Sequence, residues 1–82
     1  MPLYTYVLIH KGETVILQER RSNYRGWMAV VVGRAFPKLP KRDLQTAWKV
    51  DPEPVGSLTN VWQGSADVAG DKLAVTIIET RQ

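Results

Sequence analysis

The sequence predicts an α+β domain with the element order β-β-α-α-β-β, in which a four-stranded antiparallel sheet has a helix packed on one face. Three observations lead to this prediction: a pair of β-rich runs near the start, a second pair near the end, and a helical stripe of apolar residues between them. The alternative is a small all-β barrel in which the middle segment is a strand. With 82 residues, the chain has the length of one domain and is too short for two.

The first pair of β-rich runs covers residues 3–9 and 14–19, which contain many β-branched and aromatic side chains. The residues between them include Gly12 and have the length of a hairpin turn, so a first β-hairpin is predicted. His10 falls in this turn, where an exposed and solvated side chain is expected.

The middle segment, residues 22–36, contains conflicting signals. A run of three valines favours a strand, but seven apolar residues follow the spacing of a helix over four turns. Ser22 is a suitable N-cap and Pro37 ends the run, so we predict a helix. The stripe consists of Tyr24, Trp27, Met28, Val31, Val32, Ala35 and Phe36.

The second half of the chain predicts a short helix and another hairpin. The helix is expected over residues 41–49, and the Asp-Pro-Glu-Pro segment at 51–54 is expected to be an extended spacer. Two further β-rich runs, at 58–68 and 73–80, are separated by a turn that contains glycine. The two hairpins, placed side by side, give the four predicted strands.

The composition narrows the possible functions. The chain has no cysteine, which excludes disulfides, thiol nucleophiles and thiolate zinc sites, and a single histidine, His10, excludes a paired-histidine metal site. The six glycines do not have the spacing of a phosphate-binding loop. We therefore expect no enzyme activity, cofactor, metal or membrane partner. The lack of cysteine, of a signal sequence and of a membrane-length apolar run predicts a cytoplasmic protein.

Basic residues are concentrated in the middle of the chain. Residues 20–49 hold eight basic residues and one acidic residue, whereas the rest of the chain holds three basic and seven acidic residues. A basic helical layer attracts phosphate backbones or an acidic protein surface, and the alternative is a solvated face that only keeps the domain soluble. The candidate binding residues of this layer are Arg20, Arg21, Arg25, Arg34, Lys38, Lys41 and Arg42.

The aromatic residues allow two interpretations. Tyr4 and Tyr6 alternate onto one face of the first strand, and they form an exposed contact surface or dimer interface if the helix covers the opposite face. The alternative is that they pack in or around the core. Trp27, Trp48 and Trp62 occupy positions with core periodicity, so packing is expected for all three.

Several short motifs resemble a known group of proteins. The first strand opens with Tyr4-Thr5-Tyr6, the second contains Ile16-Leu17-Gln18, and a late strand contains Asn60-Val61-Trp62 ahead of Lys72-Leu73-Ala74. In these features the chain resembles a group of small bacterial proteins with no assigned activity, so the resemblance implies a fold and no catalytic residues. A looser similarity is to HicB-like antitoxins, which also begin with a hairpin and pack a helix on a sheet. The proline-glycine-cysteine segment of that family has no counterpart here.

Two functional hypotheses follow from these features. The first is a non-catalytic domain that binds a macromolecule, either an acidic protein or a second copy of itself. The second is a nucleic-acid-binding or antitoxin-like regulatory module that uses the basic segment 20–49. Salt distinguishes them, because binding through several phosphate contacts weakens steeply with ionic strength, whereas an interface anchored by aromatic residues changes little.

Overall fold

The computed structural model describes residues 2–24 and 28–80 and consists mainly of one antiparallel sheet. Its strands lie in the order β2-β1-β5-β4-β3, so the first and last long strands are neighbours at the centre. In chain order the elements are β1 (Leu3–His10), β2 (Glu13–Arg20), α1 (Met28–Ala35), α2 (Lys41–Thr46), a 3-10 helix (Ala47–Lys49), β3 (Glu53–Pro54), β4 (Val61–Val68) and β5 (Asp71–Thr80).

The prediction of a four-stranded sheet is wrong, because the sheet has a fifth strand. Glu53 and Pro54 form β3 and pair with Gln63 and Trp62 at the edge of the sheet. The second half of the Asp-Pro-Glu-Pro segment is extended as predicted, and a proline is tolerated in an edge strand because only one side of that strand needs hydrogen-bond donors. A strand of two residues has no alternation pattern, so the sequence does not distinguish it from a spacer.

Both predicted hairpins are present, and both have the same kind of turn. Lys11 and Gly12 connect β1 to β2 with φ angles of 51° and 78°, and Ala69 and Gly70 connect β4 to β5 with 54° and 80°. Two consecutive positive φ angles define the type I′ turn, whose twist matches that of the flanking strands. The glycine in second position takes its positive φ without steric cost.

The helix predicted over residues 22–36 is confirmed only in its second half. α1 begins at Met28, residues 22–24 are not helical, and residues 25–27 lie outside the described part of the chain. Tyr24 instead stacks on Trp62 with ring centroids 4.2 Å apart.

The second half of the predicted stripe faces the core as expected. Met28, Val31, Val32 and Ala35 are the buried residues of α1. The valine run is therefore helical, and the burial of one face explains why its β propensity does not decide the structure. Since this segment is a helix and the sheet is open, the alternative of a small all-β barrel is wrong.

The second predicted helix is present, but its last turn has a different period. α2 continues into the 3-10 helix at Ala47–Lys49. A 3-10 helix has three residues per turn, so Ala47 and Val50 become the buried positions after Leu44. Trp48 is displaced from this stripe and is 69% exposed, so the prediction that it packs in the core is wrong.

The helices cover one face of the sheet. The centre of that face consists of Tyr6 and Leu8 from β1 and Leu73, Val75 and Ile77 from β5, which are all fully buried. Burying side chains of this size stabilises a fold by about 1.5–3 kcal/mol each. These residues form the centre of the hydrophobic core.

The chain reaches β3 by passing close to β4. A Cβ atom at Gly64 would lie 3.0 Å from the carbonyl carbon of Asp51 and 3.0 Å from the nitrogen of Pro52. Because glycine has no Cβ, the backbone passes there and Pro52 is fully buried. Gly64 therefore allows β3 to reach the edge of the sheet.

Candidate functional site

One carboxylate, that of Glu19, forms ion pairs with two residues of the predicted basic layer. Glu19 points from β2 toward the helices and accepts hydrogen bonds from the guanidinium groups of Arg21, at 2.7 Å, and Arg34, both through Oε1. The Glu19 and Arg21 side chains are only 14% and 12% exposed. The Arg34 side chain is 60% exposed, so the ion-pair cluster that joins β2 to α1 is buried on the Arg21 side and open to solvent on the Arg34 side.

Of two other basic residues, one lies on the opposite face of the sheet and one lies outside the described part of the chain. Arg20 follows Glu19 in β2, so its side chain is on the opposite face of the sheet. Arg25 belongs to residues 25–27, which lie outside the described part of the chain.

The remaining three cations of the predicted layer are close together in sequence. Lys38, Lys41 and Arg42 are exposed on the connector after α1 and at the start of α2. Among the residues that the structure describes, no carboxylate forms an ion pair with any of the three. They form a small basic patch that attracts anions in general but has no geometry for a particular one.

Tyr4 and Tyr6 belong to the core. They are 3% and 0% exposed, because α1 covers the face of the sheet on which they lie. The Tyr4 ring contacts Tyr6 and the edge of Trp62, each at a centroid distance of 6.3 Å. The interpretation as an exposed contact surface is therefore wrong, and the packing alternative is confirmed.

Neither the Tyr6 hydroxyl nor Nε of Arg21, both buried, has a hydrogen-bond partner within residues 2–24 and 28–80. Burial raises the pKa of Tyr6 because the phenolate would lose its hydration, and the positive charge of Arg21 partly opposes this effect. The tyrosine is therefore neutral, and its function in the fold is to fill space beneath the helices.

The face of the sheet opposite the helices has no covering element among the described residues, and we call it the open face. It includes three exposed isoleucines, Ile9, Ile16 and Ile78, which are 46%, 64% and 39% exposed. Its central part consists of three residues from each long strand, in the rows that the strand pairing defines. These twelve residues are Thr5, Val7, Ile9, Thr14, Ile16, Gln18, Val61, Gln63, Ser65, Ala74, Thr76 and Ile78.

None of these twelve positions is charged. The polar side chains among them partly satisfy one another: Gln18 donates to the Thr5 hydroxyl at 3.0 Å, and Gln63 donates to the Thr76 hydroxyl at 3.3 Å. The sequence does not identify this surface, because alternation shows which residues share a face but not which face remains uncovered. The available signal was the apolar character of both faces of the first strand.

His10 is also placed differently from the prediction. It is the last residue of β1, is only 4% exposed, and its Nε2 lies 2.7 Å from the carbonyl oxygen of Val68 in the neighbouring hairpin. Its ring meets the Phe36 ring edge to face at 5.6 Å. The prediction of a solvated histidine in the turn is wrong, because the turn is shorter by one residue at this end and His10 remains in the strand.

The described residues contain no group of three or more His, Asp or Glu side chains placed to hold a metal ion. No helix within residues 2–24 and 28–80 has the length and hydrophobicity needed to cross a membrane. Comparison with protein-family models, curated proteins and solved structures finds no significant match. The resemblances drawn from sequence motifs therefore remain predictions.

Proposed function

We propose that this domain is a non-catalytic protein-binding module and that its binding surface is the open face, occupied by the open face of a second copy of the chain. The observation that supports this proposal is the lack of charge at the twelve central positions. Charged residues make up 23% of the chain, so roughly three would be expected there, and more on a solvated surface. Depletion of charge is a feature of the central part of protein interfaces.

In contrast to its uncharged centre, the border of the open face carries charged residues. Arg20 lies on one edge strand and Glu53 on the other, while Asp67 and Lys72 pair across β4 and β5 at one end. An uncharged centre with a polar rim is the usual arrangement of a protein interface. A two-fold dimer uses the same patch on both copies, which suits a face without charges that would repel their own images.

The area of the open face fits a weak dimer. Four strands spaced about 4.8 Å apart, each with eight residues rising about 3.3 Å, present roughly 500 Å² per copy. The total of about 1,000 Å² lies at the lower limit for a specific interface, so we expect a dissociation constant in the range of roughly 1–100 μM. Two sheets joined in this way would form a sandwich about 10 Å thick.

The basic segment supports nucleic-acid binding less well. Arg21 and Arg34 already contact Glu19 and Arg20 lies on the opposite face of the sheet, so among the described residues the predicted layer does not form one continuous basic surface for an extended phosphate backbone. The proposed role needs no cofactor. The cysteine-free chain fits a reducing compartment such as the cytoplasm.

The test compares two exposed apolar residues. Ile16 lies on the open face and is 64% exposed, whereas Leu58 lies in the loop before β4 and is 60% exposed. Sedimentation equilibrium from about 5 μM to 1 mM should give a dimer for the wild type. Ile16→Lys should be monomeric over the whole range because its charge would be buried, and Leu58→Lys should dimerise as the wild type does.

Methyl NMR identifies which surface associates. On dilution, the methyl resonances of Ile9 and Ile78 should shift, while those of the buried Ile77 should remain constant. A wild type that stays monomeric at 1 mM, or equal loss of the dimer in Leu58→Lys, would contradict the proposal. A dimer that survives Ile16→Lys would indicate pairing through the free edge of β2 instead and would also overturn it.

A further inference from the structure

A cavity of about 350 Å³ lies beside the first hairpin turn, on the side of the molecule away from the open face. Its walls come from the end of β1, from the turn, and from the end of α1 with the connector that follows. The residues that line it are His10, Lys11, Glu13, Ala35, Phe36, Pro37, Lys38 and Leu39. The volume is at the lower end of the range of about 300–1,000 Å³ that is typical of small-molecule sites.

The hydrogen bond to Val68 determines which imidazole nitrogen of His10 carries the proton. A carbonyl oxygen only accepts hydrogen bonds, so Nε2 must donate to it, and in the neutral ring Nδ1 is then an acceptor. Nδ1 forms no hydrogen bond with the described residues, yet it is not among the fully buried unpartnered atoms. His10 lines the cavity, so Nδ1 is the ring nitrogen left for a molecule that enters it.

The remaining walls indicate the kind of molecule that would fill the cavity. Phe36, Leu39 and Ala35 supply an apolar surface. Lys11 and Lys38 at the rim outnumber the one acid, Glu13, so the entrance has a net positive charge.

From this geometry we propose that the cavity binds a small aromatic carboxylate that carries one hydrogen-bond donor. The ring would lie against Phe36 and Leu39, the donor would bond to Nδ1 of His10, and the carboxylate would lie between Lys11 and Lys38. This site is independent of the open face, so its occupancy does not require the dimer.

Indole-3-acetate is a suitable probe, because it combines an aromatic ring, an N–H donor and a carboxylate. Titration followed by ¹⁵N–¹H NMR should shift the amides of His10, Phe36 and Leu39, with saturation at millimolar concentration or below. Tryptamine, with the opposite charge, and 1-methylindole-3-acetate, without the donor, should each bind at least about tenfold more weakly, since each loses one polar contact.

Two exposed lysines provide matched variants that do not affect the core. Lys38→Glu should weaken indole-3-acetate binding about tenfold because it reverses a charge at the rim, whereas Lys49→Glu at the end of the 3-10 helix should change it less than twofold. The ¹⁵N resonance of Nδ1 in His10 should move on binding, while that of Nε2 should keep the shift of a hydrogen-bonded donor.

Three results would overturn the proposal. The first is the absence of saturable shifts up to 10 mM with indole-3-acetate and with 4-hydroxyphenylacetate, a second aromatic carboxylate that has a hydrogen-bond donor. A dissociation constant of 10 mM corresponds to a binding free energy of only about 2.7 kcal/mol. The second is equal affinity for 1-methylindole-3-acetate, which would remove His10 from recognition. The third is a shift pattern centred on the open face rather than around the cavity.

Discussion

The two faces of the sheet are built from the same strands but have different environments. Ile77 and Ile78 are adjacent in β5, yet Ile77 is fully buried beneath the helices and Ile78 is 39% exposed on the open face. Both faces are rich in apolar residues at alternating positions. The comparison shows that alternation assigns residues to faces, whereas the path of the connections decides which face becomes the core.

The largest expected effect comes from this adjacent pair. Ile77→Ala should lower the free energy of unfolding by about 2–5 kcal/mol, because it removes buried methyl groups and leaves a cavity. Ile78→Ala should cost about 1 kcal/mol or less in dilute solution, where the open face is solvated. Denaturant unfolding at about 1 μM protein, no higher than the expected dissociation constant, measures both values.

Protein concentration sharpens the same comparison. At several hundred micromolar the proposed dimer adds stability to the wild type by mass action, and Ile78→Ala should lose part of that increment. The cost of Ile77→Ala should depend much less on concentration. Equal costs for the two substitutions at 1 μM would show that the open face is covered within the monomer.

The next effect concerns two glycines with different surroundings. Gly64→Ala should destabilise by about 1–3 kcal/mol, since its Cβ would lie 3.0 Å from backbone atoms of Asp51 and Pro52. Gly33 lies in α1, where a Cβ would be 3.5 Å from the Leu44 side chain, an ordinary contact. Gly33→Ala should therefore stabilise by up to about 1 kcal/mol through helix propensity.

Thermal and denaturant unfolding of both glycine variants measures this difference. A stable Gly64→Ala protein would mean that the segment at 51–52 moves away from β4 at little cost. The pairing of Glu53 with Gln63 would then change, and hydrogen exchange at the amides of β3 and β4 would detect it.

Much of the local structure is predictable because it depends on short-range pattern. The turn glycines, Gly12 and Gly70, and the alternating runs beside them predict both hairpins. The apolar stripe predicts the buried face of α1 despite the valine run. These features depend on residues that are close together in the sequence.

The candidate sites depend on contacts between distant residues, which is why sequence analysis did not find them. Glu19 meets Arg34 only when α1 packs against the sheet, and His10 bonds to Val68 only when the second hairpin lies beside the first. The prediction that Trp48 packs in the core is wrong for a related reason, because a change from α-helical to 3-10 spacing is not visible in composition. Local periodicity contains none of this information.

The smallest effect is expected for the core tyrosine with the unpartnered hydroxyl. At pH 7, Tyr6→Phe removes a buried polar group that forms no hydrogen bond with any described residue, and it keeps the ring in place. The free energy of unfolding should therefore be unchanged or higher by up to about 1 kcal/mol. A loss of more than about 1 kcal/mol would show that the hydroxyl has a partner, such as an internal water molecule.

Alkaline pH separates the wild type from Tyr6→Phe. Burial holds the pKa of Tyr6 above its ordinary value of 10.0 in the folded state. Above pH 10 the phenol of the unfolded chain loses its proton while that of the folded protein keeps it. The folded state then binds more protons, so the free energy of unfolding falls as pH rises through the folded pKa. Below pH 10 this contribution is constant.

Denaturant unfolding from pH 8 to 11 should show a shallower alkaline decline for Tyr6→Phe than for the wild type. Identical declines would mean that the buried phenol ionises as easily in the folded protein as in the unfolded chain, and that the core opens to water beneath α1.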